Sequence, residues 1–283
     1  MLSIFWVAGA SGLLVGGEWA GWCCSFNSKG QLKPVPEQYL SDTAIEWGQI
    51  PKGFEELTTE TIGEEGSSQI LVRRTVRVLP EDGCLAENVG AEIRHATLPF
   101  NSPAVPPAIA IDMPHSDKLW RIETVFDGIG TATPFVGKGA LPASDLRTRL
   151  VFTFDPEAGS ISSAGVSAWQ ERCWDSGAGA LTVHEDGGRS GLDSAWVSSA
   201  VGLDCFAEQG ADGRFEAAEN VGGTLFLPTV GVTVLVEHEA LAVALETRNG
   251  PVVVQRIFDG DQCSSRLIGS AGRSSSVLKV DVL

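Results

Sequence analysis

Short segments of alternating apolar and polar residues run through the chain, and no segment keeps a helical period. Such alternation is typical of strands that turn one face to a core and the other to solvent. The clearest cases are residues 18–26, 69–79, 119–126, 146–154, 166–174, 231–239, 241–247 and 251–258. About eight to twelve short strands separated by turns predict an all-β sandwich or barrel rather than a parallel α/β sheet.

Glycine and proline mark the connections between these strands. Asn249-Gly250 predicts a hairpin between residues 241–247 and 251–258, because this pair accepts the positive φ of a type I′ turn. The stretch 128–142 is rich in both residue types and predicts a division of the chain. The expected units are an apolar N-terminal arm at 1–16, a first β unit at 17–142 and a second at 143–283.

The segment between the first strand and residue 48 is irregular. Pro34 and Pro36 force an extended path, and Ser41-Asp42 is a candidate cap for a short helix. Loops that mix proline and large aromatic residues are frequent sites of protein contact. We therefore predict Pro34, Pro36, Tyr39 and Trp47 as partner-binding residues, with capping of the β unit as the alternative role of this loop. Tyr39 is expected to be exposed, and Trp47 to lie partly in the core.

The first seventeen residues contain no charged side chain. They fit neither a signal peptide, which begins with basic residues, nor a membrane span, which needs about twenty apolar residues with less glycine. We expect an apolar arm that packs on its own domain or inserts into a partner. Phe5 and Trp6 are its candidate partner contacts.

The charge balance narrows the choice of partner. The chain carries 36 acidic and 20 basic residues, a formal net charge of −16. Such a surface repels nucleic-acid backbones and anionic lipid headgroups, so nucleic-acid binding is not expected. An acidic protein is suited to a basic patch on a protein partner.

No recognisable catalytic motif accompanies these features. The six cysteines form no C-x-x-C pair, and the four histidines lie far from them, so no metal site is predicted. We expect reduced and mostly buried thiols, with Cys23 and Cys24 on opposite faces of one strand, one inward and one outward. Glu37 and Glu46 are interpreted as solvated loop acids, and Glu171 with Arg172 as an outward structural pair. No catalytic residue, cofactor or metal is predicted.

Two runs of sequence resemble known proteins. GEWAG at 17–21 is similar to the Gly-x-Trp opening of lipocalin-like barrels, in which the tryptophan closes one end of the barrel. The run GQLKPVPEQY at 30–39, followed by Glu46-Trp47, resembles a plastid and cyanobacterial family long called a domain of unknown function. That family includes the factor required for biogenesis of the chloroplast ATP synthase. Segments 147–154, 169–172 and 254–256 occur in the order expected for its C-terminal domain.

This resemblance implies two tandem calycin (lipocalin-like) antiparallel β-barrels with one or two short helices. It also implies a chloroplast protein, on the stromal side or associated with the thylakoid. Its expected role is that of an assembly factor or peripheral subunit of a photosynthetic membrane complex, such as a photosystem, an antenna or the ATP synthase.

Two other functions stay open at this point. The first is a calycin-type carrier that holds a lipid, carotenoid or tetrapyrrole in a barrel. The second is an enzyme similar to the bilin lyases, which also belong to the calycins. A large apolar cavity would favour the carrier, and a polar group positioned on a tetrapyrrole inside such a cavity would favour the lyase.

Overall fold

A computed structural model of the protein describes residues 14–40, 42–48, 50–78, 91–100, 108–116, 118–127, 146–173, 223–227, 230–247, 250–269 and 274–280. These residues form almost entirely antiparallel β-structure, as the alternation predicted. The helical elements among them are a 3₁₀ turn at Glu37–Tyr39 and a short helix α1 at Asp42–Glu46, both in the irregular segment. The predicted arm contacts Phe5 and Trp6 lie outside the described residues.

The larger sheet has nine strands, which come from both sides of the predicted division at residues 142 and 143. Its hydrogen-bonded order is β4-β3-β2-β1-β9-β8-β7-β5, with β6 also paired to β7. The strands are β1 Gly17–Phe26, β2 Gly53–Glu65, β3 Ser68–Val78, β4 Ala91–Pro99, β5 Ala108–Ala110, β6 Met113–Ser116, β7 Leu119–Asp127, β8 Leu146–Asp155 and β9 Ser160–Cys173.

The smaller sheet is a simple meander of six strands in chain order. Its strands are β10 Gly223–Leu227, β11 Val232–Glu237, β12 Ala240–Thr247, β13 Gly250–Asp259, β14 Gln262–Gly269 and β15 Ser274–Val280. β12 and β13 form the predicted hairpin, with Thr247 opposite Gly250.

The nine-stranded sheet is strongly curved. Arg73 on β3 is hydrogen-bonded to Glu123 on β7, although four strands separate them in the sheet. Arg147 on β8 likewise reaches Glu60 on β2 across the concave side. This face therefore forms an enclosed interior, but no closed barrel is present among the described residues.

The convex side of β1 and β7–β9 packs against the smaller sheet. One apolar core contains residues of both sheets, including Phe126 and Phe154 from the larger and Val243 and Phe258 from the smaller. Trp120 and Phe154 both lie close to the Phe258 ring, with centroids 5.6 and 5.0 Å away. The two sheets thus share a single core.

The predicted division at residues 142 and 143 does not separate two sheets. β7 and β8 lie on either side of it and are hydrogen-bonded neighbours, and β1 pairs with β9. A buried ion pair also joins the sheets, because Arg256 on β13 donates to Asp112 at 2.7 Å. The described strands are therefore one continuous packing arrangement, not two barrels with separate sheets.

A second, smaller core lies where the ends of the curved sheet approach each other. Leu98 and Phe100, at the end of β4, pack with Ile109 and Ile111 around β5. Leu14 and Val15 belong to the same core and are fully buried. The residues just before β1 thus pack on their own domain, which is one of the two roles predicted for the arm.

Candidate functional site

The concave face of the nine-stranded sheet is lined by charged side chains. Four glutamates and four arginines point into this interior from five strands and are all buried. We call them the interior charge cluster; they are Glu56, Glu60, Arg73, Arg77, Glu123, Arg147, Arg149 and Glu171. The charges of the cluster cancel, so the whole excess of negative charge lies elsewhere on the protein.

Glu60 lies at the centre of this network. It accepts hydrogen bonds from Arg73 Nε at 2.7 Å and from Arg147 Nη1 at 2.7 Å and Nη2 at 3.1 Å. The backbone N–H of Gly16 adds a fourth bond at 3.1 Å, and Arg147 also donates to the carbonyl of Leu14. Residues 14–16 are therefore fixed by the interior charges as well as by apolar packing.

Each remaining carboxylate binds at least one guanidinium. Glu123 accepts two hydrogen bonds from Arg73, at 2.6 and 3.0 Å, and one from the partly exposed Arg121. Glu171 binds Arg147 at 2.7 Å and receives both Nε and Nη2 of Arg149. Such two-point contacts fix the orientation of both groups.

Aromatic rings complete the interior. Arg147 lies 4.0 Å from the Trp19 ring centroid, Arg149 lies 3.8 Å from that of Trp169, and Arg77 lies 3.9 Å from that of Phe54. A guanidinium over an aromatic face gains a favourable cation–π interaction, which is larger when it is desolvated. The Trp169 indole also donates to Glu56 at 2.7 Å.

The network keeps the buried carboxylates ionised. Burial alone would raise the pKa of Glu123 and Glu171, but the arginines outweigh it and lower both values to about 2. Arg147 and Arg73 likewise hold the pKa of Glu60 far below its ordinary value, against the effect of burial. These glutamates are ion-pair partners at neutral pH, whereas a general acid needs a pKa near the working pH.

The interior is chemically unlike a lipid or pigment site. Sites for apolar ligands are lined mainly by hydrophobic side chains with few polar groups. Here an apolar ligand would have to contact or displace paired charges, whose separation in a dry interior is strongly unfavourable. The described interior therefore gives no support to the carrier hypothesis.

The sequence did not predict the interior charge cluster. Glu171 and Arg172 were interpreted as an outward pair, which is wrong: Glu171 is buried in the cluster, and Arg172 is buried on the opposite face of β9. The available signal was the alternation itself, since Arg147 and Arg149 are two residues apart and so share a face. Which face is interior depends on the curvature of the sheet.

The predicted contact segment closes one end of this curved sheet. The ring of Tyr39 packs edge-on against Phe54, with centroids 5.3 Å apart, so it serves the capping role left open above. Pro34 and Pro36 are exposed on either side of the buried Val35. The backbone N–H of Val35 donates to the carbonyl of Pro51, which fixes the return of the segment toward β2.

Trp47 is the exposed aromatic residue of this segment. Its side chain is 68% accessible, whereas Trp19, Trp120 and Trp169 are buried. Ile45 and Ile50 are exposed beside it in sequence. The segment from Pro34 to Ile50 contains three acidic residues and no lysine or arginine. It thus presents apolar side chains in acidic surroundings, and we call it the contact segment.

Cys23 and Cys24 are both buried thiols. They point to opposite faces of β1, as predicted, but the expectation of one inward and one outward thiol is wrong, because each face of β1 is covered. Burial raises the pKa of Cys24 to about 12 and that of Cys23 well above its ordinary value. A buried thiol with a raised pKa is a poor nucleophile.

Two further features bear on cofactors and membranes. Among the described residues, no group of three or more His, Cys, Asp or Glu side chains is arranged to hold a metal ion. In the same parts of the chain, no helix has the length and apolar character needed to cross a bilayer.

Two comparisons with known proteins gave no match. No model of a known protein family matches the chain, and a search of curated proteins finds no matching sequence. The two features available for assigning a function are therefore the paired interior charge cluster and the exposed contact segment.

Proposed function

We propose that this protein acts by binding a protein partner through the contact segment, without turnover of a substrate. The observation that carries the proposal is the exposure of Trp47, with Ile45 and Ile50 exposed beside it. Tryptophan is enriched among the residues that dominate binding energy at protein interfaces. The cost of exposing it is offset when a partner removes the ring from water.

The interior charge cluster supports a binding role more than a catalytic one. Glu60, Glu123 and Glu171 are each held by arginines and stay ionised. A scaffold whose buried charges are paired with one another suits the presentation of a surface loop. The acidic character of the contact segment further favours a partner with basic residues around an apolar pocket.

The cellular role in this proposal rests on the sequence resemblance. GQLKPVPEQY at 30–39 coincides with the first part of the contact segment. We infer an assembly factor or peripheral subunit of a photosynthetic membrane complex in the chloroplast. The curvature of the nine-stranded sheet and the burial of Trp19 at one end support a calycin-like barrel within this proposal.

The test compares complexes isolated with an affinity-tagged full-length chain and with its Trp47→Ala variant. Mildly solubilised thylakoid membranes would supply the candidate complexes. If Trp47 is a dominant contact, its truncation should cost about 2 kcal/mol, roughly thirtyfold in Kd. Surface plasmon resonance on the purified complex would measure that change.

Two controls separate the contact from the fold. Ile257→Ala removes an exposed apolar side chain, 50% accessible, from the smaller sheet, and it should leave the affinity unchanged. Tyr39→Phe keeps the ring on Phe54 and should also bind normally. Equal binding by a folded Trp47→Ala variant would remove the contact segment from the interface. Steady product formation from a bilin or lipid by the purified protein would overturn the non-catalytic role.

A further inference from the structure

The convex side of β1–β4 carries an apolar surface that the smaller sheet leaves uncovered. Two register rows cross these four strands, and seven of their eight positions are apolar. One row is Trp22, Glu55, Val78 and Ala91; the other is Ala20, Leu57, Val76 and Ile93. We call these eight residues the outer patch.

The outer patch is accessible on the side opposite the interior charge cluster. Ile93 is 52% and Leu57 38% accessible, and Val76 lies between them, half-buried. Strand neighbours lie about 4.8 Å apart, so the four strands span about 14 Å, and the two rows are about 7 Å apart. Contiguous apolar surface on a sheet is a frequent sign of an interaction site.

The size of the outer patch limits what can cover it. A stable protein–protein interface buries about 800 Å² on each partner, far more than a patch of this footprint provides. A second copy that meets it face to face would therefore lack sufficient area. An α-helix is about 10–12 Å wide and rises 1.5 Å per residue, so roughly ten residues, or three turns, would cross the four strands.

Charged residues along the two long edges of the outer patch determine which flank of such a helix lies on which edge. Glu55 is the one charged residue of the first row, and it is half-buried. Beyond the second row, Arg74 on β3 and His95 on β4 are paired in register and exposed, with Glu18 at the β1 end of the same row. A helix with basic residues on one border and acidic residues on the other would complement Glu55 and Arg74.

We propose that the outer patch binds an amphipathic helix of the same protein partner that the contact segment engages. The helix has apolar residues at i, i+3, i+4 and i+7 over about three turns. Its basic flank faces Glu55, and its acidic flank faces Arg74, away from Glu18 at the β1 end of that border. This inference rests on the proposed function and adds a second contact and the chemistry of the partner element.

The test places a photoreactive phenylalanine analogue at one position at a time in the full-length chain. The positions are Ile93 in the outer patch, Trp47 in the contact segment and Glu64, exposed near the end of β2, as control. Each variant is irradiated with solubilised thylakoid membranes, and the cross-linked peptide is sequenced by mass spectrometry. Residue 93 should give a peptide with the stated spacing and flanking charges, at least tenfold above residue 64.

A charge reversal tests the orientation. Glu55→Lys should lower the cross-linking yield from residue 93 about tenfold, whereas Glu64→Lys should leave it unchanged; thermal unfolding confirms that both variants fold. Cross-linking from residue 47 but not from 93 would overturn the helix site and leave the proposed function standing. Cross-linking from neither would overturn both. A second copy of this chain, a lipid, or a peptide without the helical pattern at residue 93 would also overturn the helix site.

Discussion

Replacing Glu60 with glutamine should destabilise the fold by about 3 kcal/mol, the lower end of the cost of breaking a buried ion pair. Glu60 accepts four hydrogen bonds, three of them from Arg73 and Arg147. Glutamine keeps the shape but removes the charge, and its amide N–H groups face guanidinium donors. The loss is limited because Arg73 retains Glu123 and Arg147 retains Glu171.

Urea unfolding followed by tryptophan fluorescence measures this loss. With a slope of about 1–3 kcal/mol per molar urea, the unfolding midpoint of Glu60→Gln should fall by about 1 M or more at an unchanged slope. The matched control is Glu157→Gln, because Glu157 pairs with Lys118 at 2.7 Å on the surface, away from the cluster, and its loss should leave the midpoint nearly unchanged. Equal midpoints for the two variants would refute the idea that the interior charge cluster stabilises the fold through its charges.

Three further predictions follow from the same structure. Folding lowers the pKa of Glu123 and Glu171 from 4.5 to about 2, so their contribution to the free energy of unfolding is complete above pH 4.5. The urea midpoint should therefore fall as the pH drops from 4.5 toward 2. Gly21→Ala would place Cβ 1.9 Å from a backbone oxygen of β9 and should lower the melting temperature by many degrees, while Gly63→Ala, at 3.8 Å from the nearest side-chain atom, should change it little. With a pKa of about 12 against 9.0, Cys24 should alkylate at pH 8 roughly a thousandfold more slowly than in urea, as measured by peptide mass spectrometry.

The sequence predicted the positions of many strands, but it did not predict which face of each strand lies in the interior. β1, β3, β7, β8, β12 and β13 were predicted within a few residues, because apolar alternation marks them wherever the interior lies. β2 was not predicted. Its inward residues include Glu56 and Glu60 and its outward ones include Leu57, the reverse of an ordinary strand. The ion pairs that make this inversion stable come from strands distant in sequence.

The sequence alone did not show which of the candidate contact residues is exposed. Tyr39 and Trp47 both lie in an irregular loop, in which Tyr39 was expected to be exposed and Trp47 to lie partly in the core; both expectations are wrong. The structure places Tyr39 against Phe54 and leaves Trp47 exposed, because the 3₁₀ turn directs the first ring onto the end of β2. The outer patch could not be predicted from the sequence either, because each of its rows takes one residue from each of four strands.

The pairing of β1 with β9 determines when the protein can fold as it is made. A chain that leaves a ribosome N-terminus first exposes residues 17–26 long before residues 160–173 exist. At about 5–20 residues per second, the missing neighbour appears on the order of ten seconds later. Asp112 waits about as long, because its partner Arg256 follows it by 144 residues. During that interval the nascent chain carries an unpaired strand edge and carboxylates whose arginine partners do not yet exist.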